Sequence, residues 1–331
     1  MKAQIVGLDW GSTRVRSCLI DSNGVCLEQR SSLQGVGQRT QEWTDALDEL
    51  IQGWDPTLPI YAIGMIGSNK GLCPMPYVST SCDIYTWLDQ VKEGADSAQC
   101  VEALGQKQAS RFFFTPGVSH QSSWMLDVMR GEEMMVFGYL NTFKNQSESR
   151  SHLLCLPGTH SKWIEADQTH IRRFQTVPTG ELFALFKQAP LLGQGCRKEQ
   201  ADDLSLVSSS TQAQIDQAFY EGIQLSQEES DLSGHLFALR SRFLFESHMN
   251  AQLHQSFLSG LLIGHELRNS AIQSRIHQEN VHLSLMATPP LSDLYAKALT
   301  ILYPQVSVHL LDAQDLFIKG IWALHLARTH V

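Results

Sequence analysis

The sequence predicts an α/β protein made of two similarly built halves, and three observations carry that prediction. Strand-like and helix-like hydrophobic patterns alternate along the chain. A unit of three strands joined by tight turns occurs at the start and again near the middle, with Gly11 aligned to Gly158, 147 residues later. The length, 331 residues, suits about two ordinary domains. The division predicted is 1–145 and 146–331, at the polar run 145–151.

In the first unit Gln4–Leu8 is an apolar strand and Asp9-Trp-Gly-Ser-Thr13 a turn. Val15–Ile20 is the second strand, Asp21-Ser-Asn-Gly24 the second turn and Val25–Gln29 the third strand. The second unit repeats the plan: strand His152–Leu156, turn Pro157-Gly-Thr-His-Ser161, then strands starting at Lys162–Ile164 and Thr169–Phe174. Gln41–Gln52 has apolar residues at 43, 46, 47, 50 and 51, a helical period. Ile60–Met65 is a buried strand running into the glycine-rich loop Gly64–Gly71. Later, Gly180–Phe186, Ile215–Leu225, Leu232–Phe245, Gln255–Arg268, Leu291–Leu302 and Asp315–Arg328 read as helices, and Val281–Met286 as a strand.

Composition narrows the function classes. Hydrophobic residues at 43% and charged residues at 18% describe a globular chain rather than a disordered one. No window approaches the roughly 20 apolar residues of a membrane span, and Met1–Trp10 lacks a signal-peptide pattern. The formal charge of −9 argues against a nucleic-acid footprint, while leaving room for a local pocket for a small anion. Seven cysteines without a C-x-x-C pair form neither a disulfide framework nor a zinc site. Read as reduced and mostly buried, they point to the cytoplasm.

A D-x-G-S-T turn between two strands can do specific chemistry. Glycine lets the backbone approach a phosphate, and the following N–H groups and hydroxyls can hold its oxygens. The aspartate repels phosphate and is better suited to holding Mg²⁺ through water. A single turn of this kind also serves as an ordinary hairpin turn. Two, in duplicated units, can clamp a polyphosphate from both sides.

Asp9-Trp-Gly-Ser-Thr-Arg-Val-Arg16 resembles the first phosphate motif of the sugar kinase/actin superfamily. Further segments are similar to the 2-dehydro-3-deoxygalactonokinase family: Gly64-Met-Ile-Gly-Ser68, Pro76-Tyr77, Pro116-Gly117, Val128-Met-Arg-Gly-Glu-Glu133, Leu156-Pro-Gly-Thr-His-Ser-Lys-Trp163, Thr179-Gly-Glu-Leu182 and Phe257-Leu-Ser-Gly-Leu-Leu-Ile-Gly264. They follow the family's order across residues 5–330. The resemblance implies two RNase-H-like (actin-like ATPase) domains closing over a cleft. It implies ATP-dependent phosphorylation of a 2-keto-3-deoxy sugar acid at its terminal hydroxyl. Gly11, Ser12 and Thr13 would meet the phosphates from one side and Gly158, Thr159 and His160 from the other, with Gly260 also on the nucleotide side. Asp9 would hold the Mg²⁺ shell and Arg16 would lie near the transferred phosphate.

The same resemblance assigns the base to Glu132, with Glu133 and Asp127 in reserve. Adjacent carboxylates on a helix point about 100° apart, so one of the pair faces the site; an ordinary acidic helix start gives the same pattern. Candidates for the anionic substrate are Ser68, Asn69, Lys70, Tyr77 and Arg130, with His120 and Lys162 weaker. Thr179 and Glu181 read either as a helix start capped by Thr179 or as part of the site. Two departures from the family stand out: Leu72 replaces a common aromatic and Lys70 a usually uncharged residue. A third is Leu285-Met-Ala-Thr-Pro-Pro290, which lacks the glycine of the superfamily's adenosine-binding turn. The function expected is a cytoplasmic Mg²⁺/ATP-dependent kinase of 2-dehydro-3-deoxygalactonate. The alternatives are a kinase for a related sugar acid or small polyol, and a sugar-binding regulatory protein with weakened ATP turnover. The oligomeric state, a homodimer included, stays open.

Overall fold

The computed structural model of the chain describes residues 2–123, 125–143, 151–167, 169–197, 210–246, 249–278 and 281–329. Apart from Ser151, the predicted polar run 145–151 lies outside the described residues. Two compact units result: Met1–Arg150 with Ile164–Phe174 and Asp312–Val331, and Ser151–Trp163 with Gln175–Leu311. The division therefore differs from a cut at 145/146. The middle of the second unit's hairpin and the C-terminal helix both group with the first unit.

The first unit opens with β1 (Ala3–Trp10), β2 (Val15–Asp21) and β3 (Cys26–Ser32), paired antiparallel in sequence. Next come α1 (Trp43–Ile51) and β4 (Ile60–Gly64), which lies parallel to β1. Short pieces follow: β5 (Tyr77–Ser79), β6 (Cys82–Asp83), α2 (Ile84–Leu88), β7 (Lys92–Glu93), α3 (Ala98–Leu104) and α4 (Gln106–Ala109). Then come β8 (Phe112–Phe114), β9 (Gly117–Gln121), β10 (Leu126–Met129) and α5 (Glu132–Phe143). The main sheet runs β3-β2-β1-β4-β8-β7, and β10-β9-β5 form a small second sheet. All five residues of β4 are buried, as a parallel strand covered on both faces requires. Trp43, Ala46, Leu47 and Leu50 of α1 join Val6, Leu8, Ile60 and Ala62 in one core. The period read at 43, 46, 47 and 50 was thus a buried helical face.

The second unit carries β11 (Ser151–Leu156), the start of β12 (Ser161–Ala166), the end of β13 (His170–Val177), α6 (Thr179–Gln188), α7 (Gln212–Ser226), α8 (Leu232–Phe245) and α9 (Ala251–Leu267). It continues with α10 (Ser270–Ile276), β14 (Val281–Met286), α11 (Leu291–Leu302) and β15 (Val308–Leu311). The third sheet runs β15-β14-β11-β12-β13-β6, with β14 parallel to both β11 and β15. The expected helix at 255–268 begins earlier, at Ala251, because the Asn250 side chain accepts from the N–H groups of Gln252 and Leu253 and caps it.

The last helix, α12 (Ala313–Thr329), returns to the first unit. It packs on α5 and reaches β1, where Phe317 and Ile321 lie over Gly7. All seven cysteines are free, and six are buried, Cys26 being half-buried. No helix of the described residues is long and apolar enough to cross a membrane.

Candidate active site

The first turn is shaped by what its carbonyls do. β1 and β2 stay in register up to Trp10↔Val15, and the Gly11 N–H closes the turn on the Arg14 carbonyl at 2.8 Å. The loop at 35–37 then donates to this turn from outside: Gly35 N–H to Thr13 O, Val36 N–H to Gly11 O and Gly37 N–H to Ser12 O. With those carbonyls engaged, the N–H groups of Ser12 and Thr13 have no acceptor among the described residues. Both residues are exposed. An anion can use such N–H groups. The Gly-Val-Gly sequence at 35–37 was the signal for this loop, and the sequence reading missed it.

Beside the turn sit three charged groups. Asp9 and Arg16 are register mates on β1 and β2, with Arg16 Nη1 3.9 Å from Asp9 Oδ2. The Asp9 side chain is 27% exposed, and its burial pushes the carboxyl up to about 6 against the pull of Arg16. Glu132, at the head of α5, is near enough for its charge to push Asp9 further up. Its Oε2 accepts the Arg130 N–H at 3.0 Å. Glu133 turns the other way: it is 0% exposed, and both its oxygens accept the Gly131 N–H. Burial and the neighbouring Glu132 raise its carboxyl to about 8. The chain can turn sharply into α5 because Gly131 has φ +113°, a region closed to most side chains. Asp127 is on β10, paired with His120, and its Oδ1 accepts the Val128 N–H.

The donor set around Asp9 fits a hydrated divalent cation. One partly desolvated carboxylate, a second acid nearby and a single arginine leave negative charge to be neutralised. Among the described residues no three His, Cys, Asp or Glu side chains converge as a cage. Mg²⁺ typically keeps several waters and uses one or two carboxylates plus phosphate oxygens.

The glycine-rich loop meets Arg130. Its guanidinium stacks 4.2 Å from the Tyr77 ring centroid and donates from Nη2 to Met75 O at 2.9 Å. Nη1 lies 3.0 Å from where a Cβ on Gly67 would be. Among the described residues three buried polar atoms here lack a hydrogen-bond partner: Arg130 Nη1, Ser68 Oγ and Thr115 Oγ1. Asn69 and Lys70 are exposed, while Leu72 is core. Leu72 therefore does not stand in for a sugar-stacking aromatic.

In the second unit the turn Gly158–His160 packs on the start of α6. Glu181 N–H donates to Thr159 O at 3.0 Å, and Glu181 Oε2 pairs with His160 Nε2 at 2.7 Å. Thr179 does not cap α6: its hydroxyl donates to Glu266 of α9, and Pro178 occupies the cap position.

A family model described as 2-keto-3-deoxy-galactonokinase matches residues 9–324. The chain belongs to this family. It is 31% identical over 276 residues to the 2-dehydro-3-deoxygalactonokinase of Escherichia coli (strain K12), covering 81% of this chain and 80% of that protein. A Rhizobium meliloti (strain 1021) protein provisionally given the same enzyme name is 28% identical over 264 residues, 78% of each chain. A crystal structure from Sinorhizobium meliloti, provisionally described as that enzyme, superposes with a TM-score of 0.77 at 25% identity, covering 98% of this chain and 96% of its own. The α/β fold is shared with that structure over nearly the whole chain.

For this family member, the sequence-derived candidates divide unevenly. Asp9, Arg16 and Glu132 gather near the first turn, and Tyr77, Arg130 and Ser68 around Gly67. Gly260 is different. It is buried where α9 crosses α7, and a Cβ there would collide with Phe219 O. Close helix packing alone requires a glycine here. Lys162 is buried, with Nζ donating to Thr176 Oγ1 at 2.7 Å, and His120 Nδ1 is 2.8 Å from Thr80 Oγ1. In the 285–290 turn, Ala287 N–H donates to Leu311 O, and Pro289–Pro290 is cis.

Proposed function

We propose that this chain transfers the γ-phosphoryl group of ATP to the terminal hydroxyl of 2-dehydro-3-deoxy-D-galactonate, giving the 6-phosphate, in galactonate catabolism in the cytoplasm. The observation that supports it most is the grouping of Asp9, Arg16 and Glu132 beside a turn whose carbonyls are tied back by residues 35–37. Phosphoryl transfer demands positioning and charge neutralisation more than covalent work from the protein.

In this reading the N–H groups and hydroxyls of Ser12 and Thr13, after Gly11, hold phosphate oxygens, with Gly158, Thr159 and His160 as a second set. Arg16 offsets charge on the transferred group. Asp9 would hold Mg²⁺ through water, and the ion when bound would neutralise phosphate charge. Glu132 orients the sugar's terminal hydroxyl and accepts its proton as the new O–P bond forms and the bond to ADP breaks. Around Gly67, the half-buried Arg130 and Ser68 and the exposed Tyr77 supply donors for the substrate's carboxylate, with Asn69 and Lys70 at the rim.

A coupled ADP-release assay across a panel of 2-keto-3-deoxy sugar acids and small polyols tests the substrate assignment. The galacto-configured acid should show the highest kcat/KM. A different acid or a polyol leading the panel would reassign the substrate. Binding of sugar acid with no ADP release from any compound would favour a regulatory protein.

A further inference from the structure

Glu266 has no part in the reading above. It is 3% exposed on α9, and its carboxylate is a hub. Oε1 accepts the Trp163 indole N–H at 2.7 Å; Oε2 accepts the Tyr295 hydroxyl at 2.6 Å and the Thr179 hydroxyl. Tyr295 OH is in turn 2.9 Å from Ser161 Oγ. One buried group therefore joins β12, α6, α9 and α11.

The chain positions of these partners matter. Ser161 directly follows the turn Gly158–His160, and Thr179 begins the helix on which that turn rests. The rest is tight. A Cβ on Gly180 would be 2.5 Å from Gly158 O and 2.8 Å from Thr159 Cα. Glu181 N–H and carboxylate hold Thr159 O and His160 from the same first turn of α6. The turn is thus gripped at its end through Ser161 and from beneath through Thr179, and both grips meet at Glu266. A buried carboxylate that satisfies three donors fixes their relative positions, because any shift leaves charge or a donor unpaired.

We infer that Glu266 is a positioning residue for nucleotide binding, holding the second phosphate turn in place through Thr179, Trp163 and the Tyr295–Ser161 pair. The inference rests on the proposed role of Gly158–His160, and the two can fail separately. The variants are Glu266→Gln, Thr179→Val and Tyr295→Phe, each compared with wild type. The readouts are KM for ATP, KM for the sugar acid, affinity for a non-hydrolysable ATP analogue without sugar acid, and thermal melting.

The expected result is a rise of about tenfold or more in KM for ATP and in the analogue's Kd for Glu266→Gln. KM for the sugar acid should stay within about twofold. Thr179→Val and Tyr295→Phe should move the same two quantities by several-fold, and the Thr179→Val/Glu266→Gln double variant should be no worse than Glu266→Gln alone. If Glu266→Gln fails to fold, the other two variants decide. Folded variants with unchanged ATP affinity, or with both KM values shifted alike, would overturn the inference. A turn that contacts no nucleotide is recognised differently: Thr159→Val and His160→Ala would then leave ATP affinity unchanged as well.

Discussion

Glu132 and Glu133 are neighbours in sequence, and the structure gives them opposite fates. In Glu132→Gln the amide oxygen can still accept the Arg130 N–H now held at 3.0 Å, so stability should move by less than about 1 kcal/mol. What disappears is the proton acceptor. Loss of a general base costs about 10²–10⁴-fold in kcat, equivalent to about 3–5 kcal/mol of barrier. Glu133 behaves differently because its carboxyl is held up at about 8. At pH 7 it is about ten to one protonated, so a neutral amide is a close mimic. Holding that proton, when the unfolded chain's glutamate near 4.5 has released it, costs about 3 kcal/mol at pH 7. The folded state binds the extra proton between pH 4.5 and 8, so wild-type stability falls as pH rises through that window. Glu133→Gln should therefore keep kcat within a few-fold and unfold at higher denaturant than wild type at pH 7, by up to about 3 kcal/mol. The gain should vanish below pH 4.5. Urea titrations at pH 4.5, 6 and 8, run beside coupled ADP release, read both quantities. If Glu133→Gln abolished turnover while Glu132→Gln retained it, the assignment of the base would be wrong.

Other consequences are as direct. Gly180→Ala puts a methyl 2.5 Å from Gly158 O, and relieving that overlap should cost about 1–3 kcal/mol and raise KM for ATP more than KM for the sugar acid; equal KM values would contradict the packing of the second turn. Gly260→Ala should lower the melting temperature by forcing α7 from α9; an unchanged melting temperature would contradict the packing requirement. Burial, then His235 at 2.9 Å and Arg268, hold His265 down to about 4 despite Asp231. The unfolded chain takes that proton near pH 6.5 and the folded chain only near 4, so stability should fall as pH drops between them. His265→Asn should flatten this slope in melting-temperature profiles; an unchanged slope would refute the cause.

The sequence carried some of this and not the rest, for reasons visible in particular residues. The two three-strand units were readable because β1, β2, β11 and β12 are long enough for hydrophobic runs bounded by turn residues. β5 to β8 are strands of two or three residues, too short for any period to register. The head of α5 was found through its motif, yet burial alone separates Glu132 from Glu133, and burial depends on packing from distant segments. Thr179 looked like a helix cap because capping is local; its true partner, Glu266, is 87 residues away. Gly260 was legible only as part of a family motif, because the contact that requires a glycine there, Phe219 O, belongs to another helix. The return of α12 to the first unit likewise had no sequence signal, since its partners Gly7 and α5 are remote.

The central claim is phosphoryl transfer to the sugar acid, and it can be watched directly. The protein is incubated with ATP labelled at the γ-phosphate, Mg²⁺ and 2-dehydro-3-deoxy-D-galactonate, and label is followed into the sugar acid. The account predicts one labelled 6-phosphate per ADP formed, with transfer lost in Glu132→Gln. Label appearing only as free phosphate, or no labelled sugar acid while the acid binds, would contradict it.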